Sequence, residues 1–188
     1  MTKPFPYSIK GLYVVTPDIV DQALLYQKVK SALDGGASLV QYRNKLADDA
    51  LLLEQASALL ALCQSYQVPL VINDHVELCV TIGADGVHLG ATDGDIVAAR
   101  ALLGKDKIIG VSCYNKFDLA LDAQDAGATY VAFGACFASN TKPNAVHAPL
   151  SLIAQAKQVL SLPVVGIGGI TLDNAPMLIE AGADAIAV

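Results

Sequence analysis

The sequence lacks the spacings by which small chains usually hold a metal or a disulfide framework. Its four cysteines, Cys63, Cys79, Cys113 and Cys136, are scattered, with no CxxC unit and no cysteine–histidine pairing. This argues against zinc and against a disulfide scaffold. Each thiol reads as a small buried hydrophobe in a reducing cytosol. Long apolar runs are also missing, and nothing approaches the roughly 18 residues needed to span a bilayer. The opening stretch MTKPFPYSIKGLYVV has two prolines and no long apolar core, so a secretory signal is not expected. Positive charge is scarce: 12 Lys and Arg stand against 18 Asp and Glu, for a net charge of −6 and no basic stripe. Nucleic acid is therefore a poor partner. The expectation is a cytoplasmic protein with neither nucleic-acid nor membrane partners, and the sequence leaves open whether copies assemble into a homo-oligomer.

What is present is apolar material, 54% of 188 residues with only 16% charged, enough for one large core and incompatible with disorder. Eight short apolar runs recur: LYVVT (12–16), LVQYR (39–43), LVIND (70–74), GVHLG (86–90), IIGVS (108–112), YVAFG (130–134), VVGIGG (164–169) and AIAV (185–188). Between them lie segments of helical period such as DDALLLEQASALLALCQSY (48–66). Near-continuous apolar strands separated by helices predict a parallel sheet covered on its faces.

An internal echo narrows this further. GGASLV (35–40), GADGVH (83–88), GATYVA (127–132) and GADAIA (182–187) share one grammar: a glycine ends a helix in the left-handed cap position, a small and a polar residue follow, and a strand begins. The device precedes the second, fourth, sixth and eighth strands. Eight strands so arranged predict a (β/α)8 TIM barrel in a single domain over 1–188, with an open doubly wound sheet as the alternative. The eighth strand ends with Val188, leaving no residues for an eighth helix, so the expectation is a barrel lacking the segment after strand eight, a truncated sequence.

Barrels of this type carry their active sites at the C-terminal ends of the strands, and polar residues gather there. On a strand, Gln41, Arg43 and Lys45 share one face, and Val40, Tyr42 and Asn44 the other. Strand three ends in Asn73 and Asp74, strand four is followed by Asp93, and strand five ends in Ser112. Strand six leads into Ser139, Asn140, Thr141 and Lys142, and strand seven ends in Gly166, Gly168 and Gly169. Each has a plainer reading. Arg43 and Lys45 could snorkel to solvent, Asp74 and Asp93 could cap helices, and Ser112 could close a turn. His88 reads as a satisfied structural histidine, His75 and His147 as surface residues, and Tyr42 as packing against the helices.

Together the plain readings weaken. Arg43, Lys45 and Lys142 converge from different strands, and like charges do not gather at a partly buried site without a counter-anion. Arginine and lysine suit phosphate oxygens, and glycine-rich turns expose anion-binding N–H groups. Two spare carboxylates beside phosphate-binding cations suit Mg2+. The residues thus indicate an enzyme acting on small phosphorylated substrates, a diphosphate among them.

The motifs QYRNK, INDHVELC, GVHLGATD, IGVSCYN, FGACFASNTK and VVGIGGIT, in this order and spacing, resemble the thiamine-phosphate synthase family from about residue 11 to 188. The resemblance implies a transferase of thiamine biosynthesis. It would join hydroxymethylpyrimidine diphosphate to thiazole phosphate, or its carboxylated form, by Mg2+-assisted dissociative loss of pyrophosphate. It further implies that Gln41, Arg43, Lys45, Asn73, Ser112 and Lys142 hold the pyrimidine diphosphate, with Arg43, Lys45, Ser112 and Lys142 acting in catalysis. Asp74 and Asp93 would hold the metal, and Ser139, Asn140, Thr141 and Gly169 the thiazole phosphate. Two departures stand out. The family's Pro-Thr-x-Thr-Lys is here Ala138-Ser139-Asn140-Thr141-Lys142, and the family's segment after strand eight, which adds phosphate donors, is absent. A thiazole tautomerase would need neither the diphosphate cluster nor Mg2+ and would carry a histidine in the strand-six loop, where FGACF has Ala135 and Cys136. A non-catalytic ligand sensor would have no use for the carboxylate pair. Tyr42 and Asn44, on the face away from the clamp, are expected to tolerate change.

Overall fold

The computed structural model describes residues 8–90, 95–138 and 146–188. Eight parallel strands close into a barrel in sequence order: β1 (Gly11–Val15), β2 (Leu39–Tyr42), β3 (Leu70–Asn73), β4 (Gly86–Gly90), β5 (Ile108–Tyr114), β6 (Tyr130–Gly134), β7 (Val164–Ile167) and β8 (Ala185–Ala187). β8 pairs back on β1, with Leu12 opposite Ile186. Between consecutive strands run α1 (Gln22–Asp34), α2 (Asp49–Ser65), α3 (Val76–Ile82), α4 (Ile96–Leu103), α5 (Phe117–Asp125), α6 (Leu150–Val159) and α7 (Ala175–Glu180). The predicted TIM barrel is the observed architecture, and the open sheet is excluded by its closure. No helix among the described residues is long and apolar enough to cross a membrane.

Strand alternation divides the apolar residues into two cores. Val40, Tyr42, Leu70, Ile72, Val87, Leu89, Ile109, Val111, Val131 and Phe133 point outward onto the helices. α2 meets them through Leu52, Ala56, Leu59 and Cys63, spaced at three and four residues. Inside the barrel lie Tyr13, Leu39, Val71, Ile108, Tyr130, Ala132, Val165, Ala185 and Ala187. Two tyrosines fit because their neighbours are small. An ideal Cβ on Gly110 would lie 2.0 Å from Cζ of Tyr130. All four cysteines are free and buried, and burial pushes the Cys63 and Cys113 thiols up to about 12. They are packing residues, as expected.

The repeated glycine device has an atomic explanation. Gly36, Gly83, Gly127 and Gly182 all have positive φ. The next residue sends its N–H back to the carbonyl five positions earlier each time: Ala37 to Ala32, Ala84 to Cys79, Ala128 to Ala123 and Ala183 to Leu178, at 2.9–3.0 Å. That is the six-to-one bond of a Schellman cap. The polar residue that follows ties down the base of the preceding strand. Asp85, Thr129 and Asp184 each donate their N–H to Leu70, Ile109 and Val164 and accept those residues' N–H groups on their side chains at 2.7–2.8 Å. Ser38 uses its hydroxyl and N–H on the Leu12 carbonyl instead. One four-residue unit therefore ends a helix, caps the neighbouring strand and starts the next one.

Candidate active site

The C-terminal mouth of the barrel is assembled first by the strap after β2. The strand ends at Tyr42, so the alternation that would align Gln41, Arg43 and Lys45 applies only as far as Gln41. Gln41 is 3% exposed and points into the barrel, where its amide donates to the Tyr13 hydroxyl. Beyond it the chain turns. Thr16 clamps the turn by donating its hydroxyl to the Arg43 carbonyl at 2.8 Å and accepting the Arg43 N–H at 2.9 Å. The half-buried Arg43 guanidinium then meets Asp18 through Nη1 at 2.8 Å, and the same carboxylate oxygen accepts the Lys45 N–H at 2.8 Å. Burial works to raise the Asp18 carboxyl, but the Lys45 N–H and the Arg43 guanidinium outweigh it and hold it below the usual carboxylate range. The cationic pair thus has a partner counter-charge within the protein. Sequence reasoning missed it, although Thr16 and Asp18 follow strand one where the other strands supplied their candidates.

The expectation that Tyr42 and Asn44 tolerate change is overturned. Tyr42 does face the helices, as expected, but both residues are buried and bonded to the buried Gln55 of α2. Gln55 Oε1 accepts from Tyr42 Oη at 2.8 Å and from Asn44 Nδ2 at 2.9 Å, while its Nε2 donates to the Ile19 and Val20 carbonyls. Asn44 also donates to Ile19 and accepts from the Leu46 N–H. Asn44 stays on the helix-facing side with Tyr42, and that side is not indifferent: there Asn44 is the bracket holding the strap to α2 and the β1–α1 loop. Asn44→Ala strands buried partners and is expected to cost about 2 kcal/mol, read as a lowered denaturant midpoint at unchanged slope.

At the end of β3, Asn73 Nδ2 donates to Asp74 Oδ2 at 2.6 Å, and the Asp74 N–H reaches the His88 carbonyl at 2.9 Å. Asp74 is exposed and has φ of 61°, a left-handed conformation that aspartate tolerates better than most residues. It does not cap α3, whose N-cap position is His75 with no side-chain bond. The cap of α4 is Asp95, which accepts from Val97 and Ala98. Asp93 lies outside the described residues, as do Ser139, Asn140, Thr141 and Lys142. His75 and His147 are exposed, as expected.

Ser112 and His88 form the next part of the mouth. His88 is 7% exposed, with Nδ1 2.8 Å from Tyr130 Oη and Nε2 2.8 Å from Ser112 Oγ. Its ring also stacks on Tyr130, with centroids 5.6 Å apart. It is the satisfied structural histidine the sequence suggested. Burial drives its pKa down to about 4. The unfolded chain therefore takes up this proton near pH 6.5 while the folded one refuses it until about pH 4, so stability is full above pH 6.5 and falls as pH drops through that window. The expected slope is about 1.4 kcal/mol per pH unit, measurable by urea unfolding between pH 6.5 and 5 and abolished in His88→Gln.

On the far side of the mouth, Gly168 and Gly169 after β7 press against the strand-six loop. Both have positive φ, and a Cβ on Gly169 would lie 2.4 Å from the Phe137 carbonyl oxygen. The Cys136 and Phe137 N–H groups bond to the Ile167 and Gly168 carbonyls at 2.9 and 3.0 Å. Asn174 bonds Gly169 O and the Thr171 N–H. The turn is built for close backbone approach, as a GIGG sequence permits.

This geometry has relatives. A family described as thiamine monophosphate synthase matches residues 12–188. The chain is 58% identical to a thiamine-phosphate synthase of Azoarcus sp. over 96% of its own length and 87% of that protein's. It is 55% identical to one from Methylobacillus flagellatus over 100% and 90%. Among solved structures it superposes on a thiamine phosphate pyrophosphorylase from Pyrococcus furiosus with a TM-score of 0.84 and 33% identity, covering 95% of this chain and 84% of that one. An N-acetylmannosamine-6-phosphate 2-epimerase from Clostridium perfringens, at a TM-score of 0.70 and 13% identity, shares the barrel.

Proposed function

Because this chain belongs to the thiamine monophosphate synthase family, we propose that it joins hydroxymethylpyrimidine diphosphate to thiazole phosphate at the C-terminal mouth of its barrel, releasing pyrophosphate. The observation that carries the site assignment is the convergence there of groups that bind anions and amides: Gln41 at the end of β2 and Arg43 and Lys45 just beyond it, Asn73 and Asp74 at the end of β3, and Ser112 on β5.

Gln41 takes the pyrimidine edge, and Arg43, Lys45, Asn73, Ser112 and Lys142 take the diphosphate. Arg43 commits one N–H to Asp18, which leaves the rest of its fork for phosphate oxygens. No described histidine or carboxylate is needed to activate a nucleophile, because the thiazole nitrogen attacks a pyrimidine methylene already vacated by pyrophosphate. The work of the chain is to hold the leaving group and stabilise its growing negative charge with fixed donors. Ser139, Asn140, Thr141 and the Gly169 backbone are the groups assigned to the thiazole phosphate.

The donors suit Mg2+. Asp74 offers an exposed carboxylate next to the Asn73 amide, and Asp93 would supply the second. Mg2+ takes one or two carboxylates and completes its shell with water and substrate phosphate. When bound, it would neutralise charge on the departing diphosphate.

The test is formation of thiamine phosphate from the two half-molecules by the purified chain, with pyrophosphate measured in parallel. Product in equal amounts, lost in EDTA and restored by Mg2+, is the expected result. Undiminished turnover in EDTA would remove Asp74 and Asp93 from the metal role, and no product with both substrates present would overturn the reading.

A further inference from the structure

Five side chains from five strands form one hydrogen-bonded line across the barrel interior. The Gln41 amide meets Tyr13 Oη, which lies 2.7 Å from Tyr130 Oη; Tyr130 Oη lies 2.8 Å from His88 Nδ1, and His88 Nε2 lies 2.8 Å from Ser112 Oγ. The two tyrosine rings meet edge to face, with centroids 5.8 Å apart. The line begins and ends on residues assigned above to the two parts of one substrate, the pyrimidine and its diphosphate. Its three inner members contact no substrate in that assignment.

Proton counting restricts this line. A phenol has one proton to give, and a neutral imidazole gives from one nitrogen and accepts at the other. Each inner member therefore uses one donor and one acceptor along the line, and every proton finds a partner only if all the bonds run the same way. An interior this dry penalises any hydroxyl proton left over. Two orders satisfy the count. In the forward order Gln41 donates to Tyr13, Tyr13 to Tyr130, Tyr130 to His88 Nδ1, and His88 Nε2–H to Ser112, whose own proton is then free for the mouth. In the reverse order Ser112 spends its proton on His88, and Gln41 accepts from Tyr13.

We propose that the line is a positioning relay that runs in the forward order when the diphosphate is bound, so that the anion at Ser112 fixes which way the Gln41 amide faces the pyrimidine. This rests on the substrate assignment above. An ionised diphosphate presents only acceptors, so Ser112 must donate to it, and a Ser112 that donates forces the order at every upstream bond. At the other end, Gln41 gives one N–H to Tyr13 and keeps the second N–H beside its carbonyl oxygen. That leaves a donor–acceptor edge complementary to a ring nitrogen and an exocyclic amine. With the amide reversed, donor and acceptor exchange places and the match is lost. Tyr13, Tyr130 and His88 are thus positioning residues.

The experiment combines nitrogen NMR of His88 with steady-state kinetics. With inorganic pyrophosphate added to the unaltered chain, the forward order requires Nε2 to be the protonated nitrogen and Nδ1 the bare one. Finding Nδ1–H instead overturns the order. Tyr13→Phe removes a hydroxyl remote from both phosphates and frees the amide to turn. It is expected to raise KM for the pyrimidine diphosphate about tenfold, as one lost hydrogen bond would, while KM for the thiazole phosphate stays within twofold. Equal KM values for parent and variant overturn the relay. Ser112→Ala separates the two levels of the claim. If it leaves pyrophosphate affinity unchanged, the substrate assignment at Ser112 fails and the relay with it. If affinity falls but His88 carries its proton on Nδ1, the assignment stands and only the relay is lost.

Discussion

Arg43→Ala is expected to reduce pyrophosphate release from the pyrimidine diphosphate by roughly 100- to 1,000-fold, the loss typical of removing one fixed charge-stabilising donor. The structure makes this a clean test. The Arg43 backbone is held by Thr16 on both its N–H and its carbonyl, and neither bond involves the side chain. Truncation therefore leaves the strap in position. The ion pair it removes is half-exposed and worth no more than about 1 kcal/mol to folding. Activity should collapse while the thermal midpoint barely moves. Asp18 adds a second consequence. Without the guanidinium its carboxylate still faces the mouth, held by the Lys45 N–H, and repels an incoming diphosphate. The double variant Asp18→Asn/Arg43→Ala should then recover part of the lost KM. Arg43→Lys keeps the charge but loses the planar fork, and should fall between parent and alanine. Lys142→Ala is expected to match Arg43→Ala if both hold the same leaving group. Full turnover in both alanine variants would sink the diphosphate assignment.

Gly110→Ala is expected to be strongly destabilising for the addition of a single methyl. The added carbon would sit 2.0 Å from Cζ and 2.3 Å from the hydroxyl of Tyr130, and Tyr130 is wholly buried with its hydroxyl bonded on both sides. The ring cannot yield without breaking contact with Tyr13 or His88. Overpacking and stranded hydroxyls together cost about 3–5 kcal/mol, a large share of ordinary domain stability. The thermal midpoint should drop on the order of 10 °C. Because the cost is a collision between two named residues, it should be non-additive. Gly110→Ala/Tyr130→Val should be less unstable than the two single changes summed. Simple additivity would mean that the ring is not what Gly110 accommodates.

The barrel was legible in the sequence because its determinants are local. A Schellman glycine followed by a small residue and a strand-capping polar residue acts within about ten positions, and repeating it four times spells out the architecture. Strand alternation set Gln41 on the face opposite Tyr42 for the same reason. Family motifs then named the chemistry. What the sequence alone could not decide begins where strand geometry stops. The strand ends at Tyr42, so Arg43 and Lys45 are not strand residues, and Asn44, assigned with Tyr42 to an indifferent face, is buried with it against Gln55. Asp18 and Arg43 are 25 positions apart, and Tyr13 and Tyr130 are 117 apart. Only closure of the barrel makes such residues neighbours. The sequence by itself determined the fold and the kinds of groups at its mouth; the tertiary structure decided which of them are bound to one another, because hydrogen bonds depend on distance in space and not along the chain.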